Sequence, residues 1–260
     1  MLVAGGFPGE FDEDYRYVEI LDLIDAKVNY DYDMKYSGVF PSRGLTSGIL
    51  KNNAQEDKVV ICGGGSNCIV LGAPFQSFDL LEERYNTSSV KLNENTLWVT
   101  GGNGRWEEKS TEFISLDEPP VKGPDLPVTI TLHSMVLVDS KTIYIIGGRH
   151  GREKNFTKET WIFDPTNNFK MKKGPCMKKA RNQGISCAKM KIGGKIFVVA
   201  VGVTYHRYNP GPLGGGICED DQPIDSVELL DTSNLEKGWR IGNWNRFILE
   251  ILFLVEVNII

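Results

Sequence analysis

The sequence has few of the residue patterns that enzymes and metal proteins use for chemistry. Its three histidines are far apart in the chain, so no His-x-x-x-His metal pair occurs. No Cys-x-x-Cys pair is present, which argues against a zinc site. A Gly-x-Ser-x-Gly elbow, a P-loop and a Ser-x-Asp-x-Gly-x-Thr-Trp box are also missing. We therefore expect no catalytic residue, no metal site and no cofactor.

Other absences bear on the class of partner. The formal net charge is −5, and a general nucleic-acid binder would need a basic excess instead. The longest apolar run, 247–260, has only 14 residues and contains two glutamates, so we expect no membrane span. The first ten residues carry neither a basic start nor an apolar stretch of signal-peptide length. We see no secretion signal, and the location stays open.

The five cysteines are too few for a disulfide-dense scaffold. We expect Cys62 and Cys187, which lie in β runs, to act as small buried hydrophobic residues. Two Asn-x-Ser/Thr sequons occur, at Asn86 and at Asn155, and Asn155 falls in a predicted exposed loop. Sequons arise often by chance, so they favour secretion only mildly.

The most informative feature that is present is an internal repeat. A run of β-forming residues ending in Gly-Gly recurs at 1–6, 58–64, 96–102 and 142–148. The run 195–202 is a degenerate fifth copy, in which we take Val201 to replace the first glycine. The spacing of the copies is irregular but centres near 50 residues, and such self-similarity indicates a repeat architecture.

Each copy belongs to a longer unit with four β runs. A short β run precedes the Gly-Gly run, a third ends in Asp after a polar loop, and a fourth carries an aromatic residue. The segment 11–25 also has a helical spacing of apolar residues, but VEILD at 18–22 matches VELLD at 227–231, which favours a strand. For the unit at 58–81, residues 68–72 and 75–81 must provide the third and fourth strands.

Four β runs in about 50 residues are typical of one blade of a β-propeller. A single four-stranded sheet cannot bury both of its faces, so the blades must stack around an axis. The Gly-Gly pair suits a crowded strand end, where a side chain would collide with a neighbour or the backbone needs positive φ. We predict an all-β propeller built from four-stranded antiparallel blades.

The repeat resembles the kelch family. The best match is 133–175, where Trp161, Asp164, Pro165, Asn167 and Phe169 stand at the family's typical positions. The resemblance covers residues 1–243 and implies a kelch-type β-propeller of about five blades, with the first and last partial. Because such propellers usually close with six or seven blades, we expect the propeller to be incomplete. The tail 244–260 fits no blade position.

Strand alternation places two kinds of connection at one end of each blade. These are the connections from second to third strand and from fourth strand to the next first strand. Seven of the ten arginines fall there, together with aromatic residues. We predict a ligand-binding face made of Arg43, Arg84, Tyr85, Arg105, Trp106, Arg149, His150, Arg152, Arg181, Tyr205, His206 and Arg207.

A structural alternative for these residues stays open. Arginine before a first strand is common in kelch repeats and can hold a neighbouring loop. Nearby acidic residues could also pair with the arginines: Glu82, Glu83, Glu107, Glu108, Glu153, Glu219, Asp220 and Asp221. We expect His133 to have a structural role at the start of its strand, and His150 and His206 to face solvent.

The resemblance implies a non-catalytic module that binds a protein or peptide. Forked arginine donors and interleaved aromatics favour an acidic segment as the ligand. One alternative is the substrate-recognition part of a ubiquitin-ligase adaptor, although no helical BTB domain precedes residue 1. Another is a secreted copper enzyme resembling galactose oxidase, for which only the adjacent Tyr205 and His206 could be identified.

Overall fold

In a computed structural model, the chain folds as an all-β protein. The structure describes residues 2–4, 17–21, 28–33, 44–71, 76–104, 109–150, 155–181, 185–202 and 226–243. In these ranges the only helix is a short 3-10 turn, Leu235–Lys237, and no helix is long and apolar enough to cross a membrane. The tail 244–260 lies outside the described residues.

The first antiparallel sheet, sheet I, contains three strands paired in chain order: β1 (Leu2–Ala4), β2 (Tyr17–Leu21) and β3 (Val28–Asp33). The strand predicted within 11–25 is therefore confirmed at β2, and the competing helix is not formed there. Beta-branched and aromatic residues dominate this stretch, as expected for a strand.

Sheets II and III are four-stranded antiparallel meanders. Sheet II consists of β4 (Thr46–Lys51), β5 (Asp57–Cys62), β6 (Gly65–Leu71) and β7 (Gln76–Arg84). Sheet III consists of β8 (Ser88–Asn93), β9 (Thr96–Thr100), β10 (Thr111–Ile114) and β11 (Val121–Lys122). The third and fourth strands that were assigned to the 58–81 unit are thus present as β6 and β7.

After the short strand β12 (Ile130–Thr131), two more meanders follow. Sheet IV pairs β13 (Ser134–Asp139), β14 (Thr142–Ile146), β17 (Thr160–Asp164) and β18 (Lys170–Lys173). Between its second and third strands, β15 (Arg149–His150) and β16 (Asn155–Phe156) form a small hairpin. Sheet V pairs β19 (Ser186–Ile192), β20 (Lys195–Val201), β21 (Ser226–Asp231) and β22 (Arg240–Asn243).

The chain divides into two compact units, Met1–Thr131 and Leu132–Ile260. In the first unit, sheets II and III share a hydrophobic core that includes Leu50, Val60, Leu97 and Val99. In the second unit, sheets IV and V share a core whose buried members are Val136, Val138, Tyr144, Ile146, Ile162, Met177, Val198, Ala200, Leu230 and Trp239. Each four-stranded sheet therefore buries one face against its neighbour in the chain, as the repeat requires.

Within each unit, the first strands of successive sheets lie side by side. Thr46 on β4 and Ser89 on β8 share a hydrogen bond between their hydroxyls. In the second unit, the amide of Cys187 on β19 donates a hydrogen bond to Ser134 Oγ on β13 at 3.0 Å. First strands are thus at the contact between sheets, while the fourth strands lie at the opposite, exposed edge.

The Gly-Gly pairs have the geometry that the sequence predicts. Gly102 has φ +97°, and a Cβ there would lie 2.9 Å from the Tyr85 carbonyl oxygen. Gly147 has φ +64°, and a Cβ would lie 2.8 Å from the Arg181 carbonyl oxygen. Both the positive φ and the close approach of a neighbouring backbone exclude a side chain at these strand ends.

Candidate functional site

The predicted binding face lies at the strand ends that carry Gly-Gly, which we call the glycine end of a sheet. Seven of the twelve predicted residues lie outside the described part of the chain: Arg43, Arg105, Trp106, Arg152, Tyr205, His206 and Arg207. The remaining five, Arg84, Tyr85, Arg149, His150 and Arg181, have defined places.

The two predicted kinds of connection do meet at the glycine end of sheet III. Tyr85 precedes the first strand, and Asn103 follows the second. Their backbones exchange two hydrogen bonds, each 2.8 Å from nitrogen to oxygen. In the second unit, the amide of Gly148, after the second strand of sheet IV, donates to the carbonyl of Arg181, before the first strand of sheet V, at 2.9 Å. Loop residues from both kinds of connection are therefore neighbours.

Arg84 is inside the protein rather than on the predicted face. Its side chain is fully buried, and Nε donates to Glu112 Oε1 at 2.8 Å. Nη1 donates to the carbonyls of Gly101 and Ser110, at 2.7 and 3.0 Å, and Nη2 donates to Ser110 Oγ at 2.8 Å. The Glu112 carboxylate also accepts the backbone amides of Leu81 and Glu82. All three nitrogens of the guanidinium therefore donate within the protein.

Arg181 repeats this arrangement in the second unit. It is fully buried, and Nε donates to Glu228 Oε1 at 3.2 Å, while Nη1 donates to the Gly202 carbonyl at 3.1 Å. Glu228 accepts the amides of Lys178 and Lys179, three and two residues before the arginine. Leu81 and Glu82 stand at the same distances before Arg84.

We call these groupings the Arg84 clamp and the Arg181 clamp. The Arg84 clamp joins the end of the fourth strand β7 to the third strand of sheet III, and the Arg181 clamp joins the segment after the fourth strand β18 to the third strand of sheet V. The placement of Arg84 and Arg181 on a ligand-binding face is therefore wrong, because burial leaves neither guanidinium a donor for a ligand. The structural alternative for these two positions, holding a neighbouring segment, is what the structure shows.

The clamps also correct the alignment of the degenerate repeat. Glu112 pairs across the sheet with Val99, two residues before Gly101, and Glu228 pairs with Ala200, two residues before Gly202. Gly202 thus occupies the position of Gly101, the first glycine of its pair, and not that of the second. The matching arginine contacts to the Gly101 and Gly202 carbonyls give the same alignment.

Tyr85 remains at the glycine end as a half-buried residue. Its hydroxyl donates to Glu83 Oε1 at 2.8 Å. This hydrogen bond, with smaller contributions from burial and from the Glu83 charge, raises the pKa of Tyr85. The neighbouring Asn86 donates through Nδ2 to Asn103 Oδ1 at 3.0 Å. The amide nitrogen of that sequon is therefore engaged inside the protein.

Arg149 and His150 form strand β15, directly after the glycines of sheet IV. Both residues are half-buried, and they pair with β16 so that Arg149 lies opposite Phe156. His150 Nδ1 is 3.7 Å from Glu159 Oε2, and its side chain is 23% exposed rather than fully solvated. Asn155, expected in an exposed loop, lies in β16.

His133 lies below this hairpin as a buried residue, in line with its predicted structural role. Burial, with a smaller contribution from the nearby charge of His150, lowers the pKa of His133 to about 3. The imidazole is therefore neutral at physiological pH. A neutral imidazole cannot supply positive charge to a ligand.

Sequence reasoning missed Phe156 and Glu159 as members of this site. Phe156 adds a half-buried aromatic ring beside Arg149, and Glu159 accepts Lys173 Nζ at 2.8 Å in addition to facing His150. The strand-forming pair Asn155–Phe156 could have been noticed in the loop sequence. The role of Glu159 depends on β18, which no local pattern relates to it.

The histidines, cysteines and carboxylates of the described ranges form no metal-binding group, and two of the cysteines form a disulfide. No group of three or more His, Cys, Asp or Glu side chains that could hold a metal ion occurs there. Cys62 and Cys68 form a disulfide across β5 and β6, with Cα atoms 4.1 Å apart. Cys62 was expected to be a small buried hydrophobic thiol; it is buried but bonded, because the strand register sets it opposite Cys68.

No model of a known protein family and no curated protein sequence matches the chain. The function is therefore inferred from the sequence repeat and from the geometry of the described residues.

Proposed function

We propose that this chain is a kelch-type β-propeller that acts as a non-catalytic protein-interaction module. Its ligand is a protein or peptide segment, by preference acidic, and the loops of the glycine end bind it. The fold part of the proposal is supported by the four-stranded meanders and by the first strands lying side by side within each unit. A radial array of blades requires both features.

The observation that carries the binding proposal is the Arg149–His150–Phe156 group on the β15–β16 hairpin. Arg149 and Phe156 are cross-strand partners, so a half-buried guanidinium and a half-buried aromatic ring are neighbours at the strand ends, and His150 follows Arg149 in the strand. Arginine supplies forked donors for carboxylates, and an aromatic side chain supplies an anchor, the combination that is enriched at interface centres. A rigid sheet that carries such loops is a usual arrangement for recognition.

The test uses a peptide library in which half of the positions are Asp or Glu, screened for binding to the purified full chain. The best binders are then measured against the variant Arg149→Ala/His150→Ala. We expect at least about tenfold weaker binding, the loss of one strong contact group. The matched control is Lys191→Ala/Lys237→Ala, which changes two exposed cations at the other end of sheet V.

An equal loss of affinity in the two variants would show that the weaker binding comes from the change in net charge, and it would contradict a binding site at the glycine end. Unchanged affinity in both variants would exclude these residues from binding. The propeller itself is tested by an experimental structure. Sheets II to V without a common rotation axis would overturn the kelch-type assignment.

A further inference from the structure

The outermost strand of sheet IV, β18, is exposed along its whole length. All four of its residues, Lys170–Lys173, are exposed, and Met171 keeps 45% of its surface accessible. Within the described part of the chain, β18 pairs only with β17. An exposed edge strand is a template for pairing with another strand.

The charge at this edge is opposite to that of the whole protein. Residues 170–181 contain five lysines and one arginine and no acidic residue, in a chain of net charge −5. Arg181 is neutralised by Glu228 inside its clamp. Lys173 is held by Glu159 at 2.8 Å and lies 5.1 Å from the centre of the Trp161 ring.

Lys170 and Lys172 are the cations that this edge leaves available. Neither forms an ion pair with any residue that the structure describes, and both are exposed. They alternate with Met171, so the two lysines stand on one face of the sheet and Met171 on the other. One face of the strand therefore presents two lysines without an ion pair to any described residue, and the other presents Met171 beside the paired Lys173.

The backbone of β18 is also available for pairing. The Gly174 amide donates to the Thr160 carbonyl at 2.8 Å, and the register pairs Ile162 with Lys172. In an antiparallel pair, hydrogen-bonded positions alternate, so the amides and carbonyls of Lys170 and Lys172 point toward β17. Those of Met171 and Lys173 then point outward, away from the sheet.

We propose that β18 binds an acidic, extended segment of a partner protein, which adds a strand to sheet IV. The outward backbone groups of Met171 and Lys173 pair with the backbone of the segment. Acidic residues at alternate positions lie opposite Lys170 and Lys172, and an apolar residue between them lies against Met171. Cross-strand pairs of opposite charge stabilise such an addition.

The backbone groups select a polypeptide over other polyanions. A polypeptide brings both amide donors and carbonyl acceptors, whereas a phosphate backbone brings acceptors only and leaves the outward carbonyls unpaired. Met171 adds an apolar contact for a side chain of the segment. Glu159 contacts both His150 of the glycine end and Lys173 of β18, but the inference rests on β18 and does not depend on the loop face.

The experiment measures fluorescence anisotropy of a labelled Glu-Val-Glu-Val-Glu peptide with the full chain. We expect Lys170→Glu/Lys172→Glu to weaken binding by at least about tenfold, since two attractive cross-strand pairs become repulsive. Lys191→Glu/Lys237→Glu, which makes the same change of charge at exposed positions elsewhere in the second unit, should leave affinity within about twofold.

A second pair of variants tests the backbone independently of charge. Met171→Pro removes an outward amide and keeps the ladder to β17, because the Met171 amide does not face that strand. It should abolish binding that Met171→Ala largely retains. If Lys170→Glu/Lys172→Glu lowers the melting temperature strongly, Lys170→Gln/Lys172→Gln replaces it.

Several results would overturn the proposal. These are no binding of the peptide to the wild-type chain, equal binding of the shuffled peptide Glu-Glu-Val-Val-Glu, or equal loss in the two Lys→Glu double variants. Tighter binding of a DNA oligonucleotide or of anionic phosphatidylserine vesicles than of the peptide would also overturn it. Arg149→Ala/His150→Ala should leave this binding intact, so failure here and failure at the glycine end are distinguishable.

Discussion

Arg84 and Glu112 form an ion pair with Nε 2.8 Å from Oε1, and their side chains are 0% and 1% exposed. The two residues belong to neighbouring sheets and are brought together only by the fold. A buried charge that loses its partner cannot be hydrated, so truncating one member costs far more than the pair contributes. The Arg84 clamp therefore makes sharp predictions about stability.

Glu112→Gln should lower the free energy of unfolding by about 3 kcal/mol or more, because it leaves the buried guanidinium uncompensated at nearly unchanged volume. Urea denaturation followed by circular dichroism measures the change. Glu94→Gln, which breaks the exposed pair of Lys91 and Glu94, should cost less than about 1 kcal/mol. A change of similar size in both variants would contradict the structural role of the clamp.

Gly102→Ala should destabilise the protein much more than Gly193→Ala. Both glycines have positive φ, but a Cβ at Gly102 meets the Tyr85 carbonyl at 2.9 Å, whereas nothing lies within 4 Å of one at Gly193. We expect a loss of about 1 kcal/mol from backbone strain at Gly193 and at least twice that at Gly102. Thermal melting of the two variants provides the comparison, and equal melting temperatures would contradict it.

His133 should make the protein less stable as the pH falls below about 6.5. The folded chain keeps the imidazole neutral, with its pKa lowered to about 3, while the unfolded chain binds a proton below the ordinary value. The free energy of unfolding then drops by up to about 1.4 kcal/mol per pH unit between these two values. His133→Gln removes this contribution.

Denaturation of the wild type and of His133→Gln at pH 7 and at pH 5 measures the difference. The wild type should lose more stability than the variant between these two pH values. An identical loss of stability in the two proteins would show that the His133 imidazole can be protonated in the folded state.

The cysteines should differ in reactivity by position. Burial raises the pKa of the Cys187 thiol to about 12, so very little thiolate forms, whereas Cys176 is exposed. Iodoacetamide at pH 8 should modify Cys176 at least about tenfold faster than Cys187 in the folded protein. Peptide mass spectrometry measures both rates.

In the same experiment, unfolding without a reductant should leave Cys62 and Cys68 unmodified, because the disulfide joins them. Both should react after addition of dithiothreitol. Modification of either residue before reduction would show that the disulfide is absent from the isolated protein.

The strands could be predicted from the sequence because their signals are local. Beta-branched runs that end in Gly-Gly, as at 96–102, determine where a strand lies and where it ends, and the match of 18–22 to 227–231 decided between strand and helix at β2. The steric reason for the glycines was also correct at Gly102 and Gly147. These predictions need nothing beyond a few neighbouring residues.

The features that could not be predicted from the sequence depend on residues that are distant in the chain. Nothing in the local sequence distinguishes Arg84 from Arg149. The structure does, because Glu112, 28 residues after Arg84, pairs with Arg84 and makes it a core residue. The Cys62–Cys68 bond needs the strand register, and the Glu159 contacts need the position of β18. Tertiary contacts decide which polar residues remain available to a ligand, and these contacts cannot be read from the composition.

The two clamps also determine where the chain can be divided into fragments. A cut between β7 and β10 would separate Arg84 from Glu112, and a cut between β19 and β21 would separate Arg181 from Glu228. Either cut would leave a normally buried charge without its partner. Expression trials should therefore keep each arginine with its carboxylate and choose termini that leave sheets II and III, or sheets IV and V, together.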